Sequence, residues 1–172
     1  MKQAIATLAA GLLAASGLAF AQAPNDAQIA HIVVTANQVD IEAGKLAEQK
    51  ASSAEVKAFG KQMVTDHSGS NKQATALAKK LMVTPEDNAT SKSLKEGGDK
   101  NLKRLKTLKG KEFDKAYVDQ EVAYHQAVLD AIDKTLIPNA KNAELKTLIE
   151  KTRPVIDAHL QHAKMMQGKL GK

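Results

Sequence analysis

Two stretches with helical periodicity are separated by only a few residues near the start of the chain, and two more near its end. That spacing limits the fold more than any other feature. Asp26 to Lys50 and Ala54 to about Met82 repeat apolar residues at helical intervals. Between them Ser52 opens the sequence SSAE, a capping-box pattern with Glu55 that predicts a helix start. Lys111 to Leu136 and Ala143 to Leu170 make the second pair, separated by a break around IPNAKN. A short break makes consecutive helices antiparallel, so each pair is expected to be a hairpin. The connection between the pairs is long. It carries a shorter helical stretch, Ala89 to Leu108, which Gly97-Gly98 is expected to interrupt and Gly110 to end. Pro154 predicts a kink in the last helix. No stretch alternates as a strand would.

Two hairpins joined by one long crossover predict an all-α fold: a ferritin-like four-helix bundle with a shorter crossover helix between the second and third long helices. An up-and-down bundle with an extra helix is the competing arrangement. With 172 residues and no long linker, one domain is expected over residues 22–172. Residues 1–21 read as a signal peptide: a basic start at Lys2, an apolar run from Ala4 to Phe20, and small residues at Ala19 and Ala21. Export to the periplasm or beyond is therefore expected. The chain has no cysteine, which excludes disulfides, thiolate zinc sites and a lipid anchor on a cleavage-site cysteine.

The net charge is +6, with the basic excess concentrated in residues 91–111. An exported chain with few aromatics is not expected to bind nucleic acid. Lys100, Lys103, Arg104 and Lys106 could meet an anionic envelope surface; a solvated helix face explains the same residues.

Helical wheels place several ionisable residues among apolar ones. Asp40 falls on the apolar face of the first helix, His67 on that of the second, and His159 on that of the last. In the helix from Lys111, Asp114, Glu121 and His125 lie between two apolar arcs. Asp66 falls at an edge, His162 at a margin, and His31, Glu42 and Asp157 toward solvent. A buried charge is costly unless paired or bound to a metal. Counting levels at about 1.5 Å per residue puts Asp40, His67, Glu121, His125 and His159 within roughly one and a half turns. Two readings stay open. One is a satisfied network in which the carboxylates pair with the histidines and Tyr117 and Tyr124 donate their hydroxyls. The other is a metal site for Fe, Mn, Zn, Ni or Cu. Met63, one turn before His67, is either core filling or a soft copper ligand.

The blocks QMVTDHSGS and FDKAYVDQEVAYH, with LKTLIEKTRPVIDAHLQHAKMM, resemble a bacterial family of exported, ferritin-like proteins of unknown function. Its members are sometimes labelled outer-membrane or membrane proteins. The resemblance covers about residues 27–167 and implies an exported helical bundle. It singles out Asp66, His67, Phe113, Asp114, Tyr117, His125 and His159. The family pattern has Glu-x-Glu where this chain has Asp40-x-Glu42. The Glu-x-x-His pairs of di-iron ferritins are missing, which argues against ferritin-type iron oxidation. The expected role is binding or stress-related, with Asp40, His67, Glu121, His125 and His159 as the candidate metal site. Metal-dependent oxidation chemistry and an envelope-surface interaction are the alternatives.

Overall fold

The structure, a computed structural model, describes residues 23–171. The expected signal peptide lies outside them. The elements are α1 (Asp26–Lys50), α2 (Ala54–Lys80), α3 (Ala89–Thr107), α4 (Gly110–Ala131), a π-helical segment (Ile132–Leu136), α5 (Ile137–Asn139) and α6 (Ala143–Leu170). Among the described residues there is no strand, and no helix is long and apolar enough to cross a membrane.

Side-chain caps set most helix starts. Asn25, Ser53, Asn88 and Asn142 each accept from first-turn amides, satisfying donors that a helix leaves unpaired. Capping boxes form at Asn25 and Asn88. The box expected from Ser52 and Glu55 does not form: the cap is Ser53, one residue later. Ser52 is held from another helix instead, as described below.

The pairings follow from the cross-helix contacts. α1 and α2 are antiparallel, with Asn37 bonded to Asn71 and Gly44 opposite Gly60. A Cβ on Gly44 would lie 2.7 Å from the Gly60 carbonyl oxygen, so the two backbones approach only because both positions lack a side chain. α4 and the π-helical segment that continues it lie antiparallel to α6, through Asp119–Gln167 and Asp133–Arg153 respectively. α1 meets α4 where Tyr124 Oη donates to the Ala36 carbonyl, and α2 meets α6 through Glu55–Lys169 and Lys80–Glu144. α3 runs beside α1. Asn88 donates to the Gln28 carbonyl near its start, and Lys50 donates to the Lys106 carbonyl near its end.

Two local expectations are corrected. α3 is continuous through Gly97-Gly98. A Cβ on Gly98 would sit 2.8 Å from both Val39 methyls, so this glycine is there for close packing on α1 rather than to break the helix. α6 runs as one helix with Pro154 inside it; Val155, which periodicity expects on its apolar face, is instead 42% exposed.

The core has two apolar layers. One, near the α1–α2 turn, contains Phe59, Met63, Leu105, Phe113, Tyr117 and Met166. The other, toward the α5 end, contains Ile29, Ile32, Leu129, Ile149, Ile156 and Leu160. Met63 is fully buried in the first layer.

Asp114 is buried, but it ties two helices together rather than facing the other interior acids. Its carboxylate accepts from the Ser52 amide at 2.9 Å, the Ser53 amide at 2.8 Å and the Ser52 hydroxyl, so α4 holds the α1–α2 turn. Asp26 does the same at the other end, accepting from the amides of Lys141 and Asn142. Hydrogen bonds to a charged group contribute about 1.5–3 kcal/mol. Asp114→Ala should therefore lower stability by about 2 kcal/mol, or roughly 4–8 °C in Tm for a domain of this size. Thermal denaturation followed by circular dichroism checks this; an unchanged Tm would show that the clamp contributes nothing.

Candidate metal centre

Between the two apolar layers lies a polar one, built from α1, α2, α4 and α6. Asp40, His67, Glu121, His125 and His159 are all buried there. His67 Nε2 lies 2.7 Å from Asp40 Oδ2, and His125 Nε2 lies 3.3 Å from the same oxygen. The imidazole rings are 5.3 to 5.7 Å apart, centre to centre. The five residues placed together by level counting are thus neighbours. Asp66 adjoins them from its half-exposed edge, whereas Asp114 does not. His31 approaches Asp87 and His162 packs on Phe59, both away from this layer. Lys100, Lys103, Arg104 and Lys106 are all exposed on α3.

Each histidine is held through one ring nitrogen. For His67 the tautomer follows from a chain of hydrogen bonds. The Val34 carbonyl can only accept, so Asn71 Nδ2 donates to it. Asn71 Oδ1 must then accept from Asn37 Nδ2, at 2.9 Å. That leaves Asn37 Oδ1 to accept from His67 Nδ1, at 2.8 Å. His125 Nδ1 donates to the Glu121 backbone carbonyl at 3.0 Å. His159 Nε2 donates to Asp66 Oδ2 at 2.9 Å. The other nitrogens, His67 Nε2, His125 Nε2 and His159 Nδ1, are buried and have no hydrogen-bond partner among the described residues. Their ligand atoms all lie within 4.8 Å of one another.

The carboxylates are also unsatisfied. Both Asp40 oxygens and Glu121 Oε2 are buried without a hydrogen-bond partner among the described residues. The 2.7 Å approach of His67 Nε2 to Asp40 is an ion-pair distance that lacks hydrogen-bond alignment. Asp40, Glu121 and His125 form a second group whose ligand atoms lie within 4.8 Å of one another. An unsatisfied buried polar atom costs roughly 1–3 kcal/mol. Tyr124 donates to Ala36 as a network requires, but the buried Tyr117 hydroxyl finds no partner among the described residues. The hydrogen bonds among the described residues therefore satisfy this layer only in part, while His67 and His125 meet Asp40 at ion-pair distances.

Proton occupancy follows the same geometry. Burial favours protonated Asp40, but the imidazoles of His67 and His125 outweigh it and hold this carboxyl below its ordinary value. Burial and the Asp40 charge push Glu121 up to about 8, against the pull of His125. Burial opposes charging His125, yet the Glu121 carboxyl 3.3 Å from its Nδ1 and the charge on Asp40 raise it to about 9. Burial lowers His159, and its bond to Asp66 offsets this only in part.

Two residues escaped the sequence reading as members of this layer. Asn37 was not singled out at all, although it lies on the apolar side of α1, one turn before Asp40. Asp66 was placed at the edge, which is right, but its partner His159 could be found only in three dimensions.

The sequence profile of DUF4142, a domain of unknown function, matches residues 13–166. The chain belongs to the DUF4142 family. No curated protein matches the sequence. Two solved structures share its fold at low identity. One is a DUF305 protein of Streptomyces coelicolor, described as secreted, with a TM-score of 0.69 and 12% identity over 84% of this chain and 92% of that one. The other is CopM in its Cu(II)-bound form, with a TM-score of 0.66 and 16% identity over 86% of this chain and 99% of that one. This DUF4142 chain is accordingly all-helical, and its His and Asp/Glu groups could hold a metal.

The raised values of Glu121 and His125 give a testable sign. A group whose pKa is raised on folding contributes stability that is complete below its unfolded value and lost as pH rises through its folded value. The folded-state values are about 8 and about 9, against 4.5 and 6.5 for the free groups. Chelator-treated protein should therefore lose stability from pH 7 to 9, a window above the free value of His159. Glu121→Gln should flatten the lower part of that slope. A Tm that is level or rises from pH 7 to 9 in thermal scans would contradict the assigned proton positions.

Proposed function

We propose that this chain is an exported, ferritin-like four-helix protein that binds a divalent first-row transition ion. The ion is held by His67 Nε2, His125 Nε2, His159 Nδ1 and Asp40, with Glu121 beside them. Support for ferritin-like connectivity comes from the two antiparallel hairpins and from α3 returning the chain along α1 before α4 begins. The observation that carries metal binding is the orientation of the histidines. Each has one nitrogen tied outward, to Asn37, to the Glu121 carbonyl or to Asp66, and the other unpartnered beside its fellows. Outward hydrogen bonds of this kind orient histidine ligands and raise their basicity.

Imidazole with carboxylate suits Zn, Cu, Fe and Ni, and affinity among divalent ions peaks at Cu(II). The CopM structure was solved with Cu(II), which supports testing that ion first. A bound ion would supply positive charge to a layer that otherwise relies on protons. The chain's own part is to present three imidazole nitrogens and one carboxylate between apolar layers, with His125 releasing its proton as the ion binds.

The test is titration of chelator-stripped protein with Cu(II). The chain has two tyrosines and no tryptophan, and Tyr124 lies 6.1 Å from the His125 ring, so tyrosine emission reports binding. One equivalent should bind, raise Tm and show nitrogen ligation by electron paramagnetic resonance. His67→Ala and His159→Ala should each abolish stoichiometric binding. Asn37→Ala removes only the partner that fixes the His67 tautomer and should weaken binding by about 10- to 100-fold. Wild type that binds Cu(II) no better than the histidine variants would reduce the layer to a structural network.

A further inference from the structure

The metal seat has an outer face that its ligand geometry does not explain. A cavity of about 180 Å3 lies between α1, α3 and α4, and its floor is Asp40 and Glu121. Both floor residues are at least nine-tenths buried and carry unpartnered oxygens. On α3 the lining includes Ser93, Gly97 and Asn101, spaced i, i+4, i+8 and therefore in one row along the helix. Ser93 and Gly97 are exposed, and Asn101 Oδ1 is a further buried acceptor without a partner among the described residues. This row of small side chains leaves an opening over two buried acids.

We propose that this cavity is the route by which a hydrated divalent cation reaches the histidines, with Asp40 and Glu121 as its first protein ligands. The inference rests on the metal seat proposed above. Oxygen donors suit an ion still carrying water, and imidazoles replace that water further in. At roughly 30 Å3 per water, the cavity accepts an ion with several of its waters. The order of contact follows from position. Asp40 and Glu121 line the cavity, and Asp40 Oδ2 touches both His67 Nε2 and His125 Nε2. Asp40 is thus the group shared by cavity and seat, and the ion passes from its outer side to its inner side. His159 lies on the far side, next to α2, and joins last. α3 thereby serves as the rim of an opening as well as a crossover.

The route can be narrowed without touching a ligand. A Cβ on Gly97 would meet no atom within 4 Å, so Gly97→Leu fits the helix while its side chain reaches over the opening. Ser93→Leu adds a second apolar residue one turn earlier. Cu(II) uptake by chelator-stripped protein would be followed by stopped-flow tyrosine quenching, and release by transfer to EDTA. Gly97→Leu and the double variant should slow uptake and release alike, by about tenfold or more in the double variant, and leave equilibrium affinity nearly unchanged. A structural disturbance of the seat would instead change the affinity and Tm. Unchanged uptake and release in both variants, with wild-type affinity retained, would overturn the route while leaving the seat intact. Failure of the wild type to bind Cu(II) stoichiometrically would overturn the seat, and the route with it.

Discussion

The polar layer is organised around one carboxylate. Asp40 is 1% exposed and meets His67 and His125 through the same oxygen. An acid this deep cannot stand alone, since an unpaired buried charge costs far more than a domain's net stability. It needs positive charge from at least one neighbour, and α2 and α4 provide the imidazoles. Those imidazoles in turn need their outward nitrogens satisfied. His67 uses Asn37 of α1, while His125 uses the backbone of its own helix. His159 of α6 uses Asp66 of α2. The layer is therefore complete only when α1, α2, α4 and α6 are all docked, and the chemistry depends on the whole fold.

Packing explains why the layer sits where it does. Gly44 and Gly60 let α1 and α2 approach closely just above it, and Gly98 lets α3 lie down on Val39 just outside. Apolar clusters close both ends. Apolar surroundings on both sides strengthen electrostatic contacts inside and raise the cost of leaving any of them incomplete. One lateral opening among the described residues passes Ser93, Gly97 and Asn101. Asp114 and Asp26 hold the turns at opposite ends, so the acids of this chain divide between keeping the helices in register and building the interior layer.

Much of this was legible in the sequence. Helix boundaries followed from periodicity, and the five interior residues followed from wheels combined with level counting. Periodicity reports which way a side chain leaves its helix, and this is enough when polar residues fall in an apolar arc. It does not report what they meet. Asn37 could not be distinguished from an ordinary helix asparagine, because its role depends on Asn71 in another helix and on a carbonyl one turn away. Asp114 shares its wheel position with Glu121 and His125, and a wheel cannot separate a residue facing the bundle centre from one facing a turn in another helix. Gly97-Gly98 was misread for a related reason. Glycine is a poor helix former in isolation, but the close contact of Gly98 with Val39 outweighs that propensity.

The two readings left open by the sequence, a buried network and a metal site, describe the same atoms in two states of charge. Without an ion, the negative charge of Asp40 is met by protonated His125, and Glu121 keeps its own proton and adds no second charge. The balance is incomplete, because unpartnered atoms remain on all five residues. An ion supplies the same positive charge at a single point and accepts several lone pairs at once, which no proton can do. It also requires His125 Nε2 to give up any proton it carries. Ion and proton therefore compete for one site, and binding must release protons. In a purely structural network the inward nitrogens of His67 and His125 carry the protons that meet Asp40; with the proposed ion the same nitrogens are lone-pair donors. The two states differ in where the positive charge sits, not in which residues surround it.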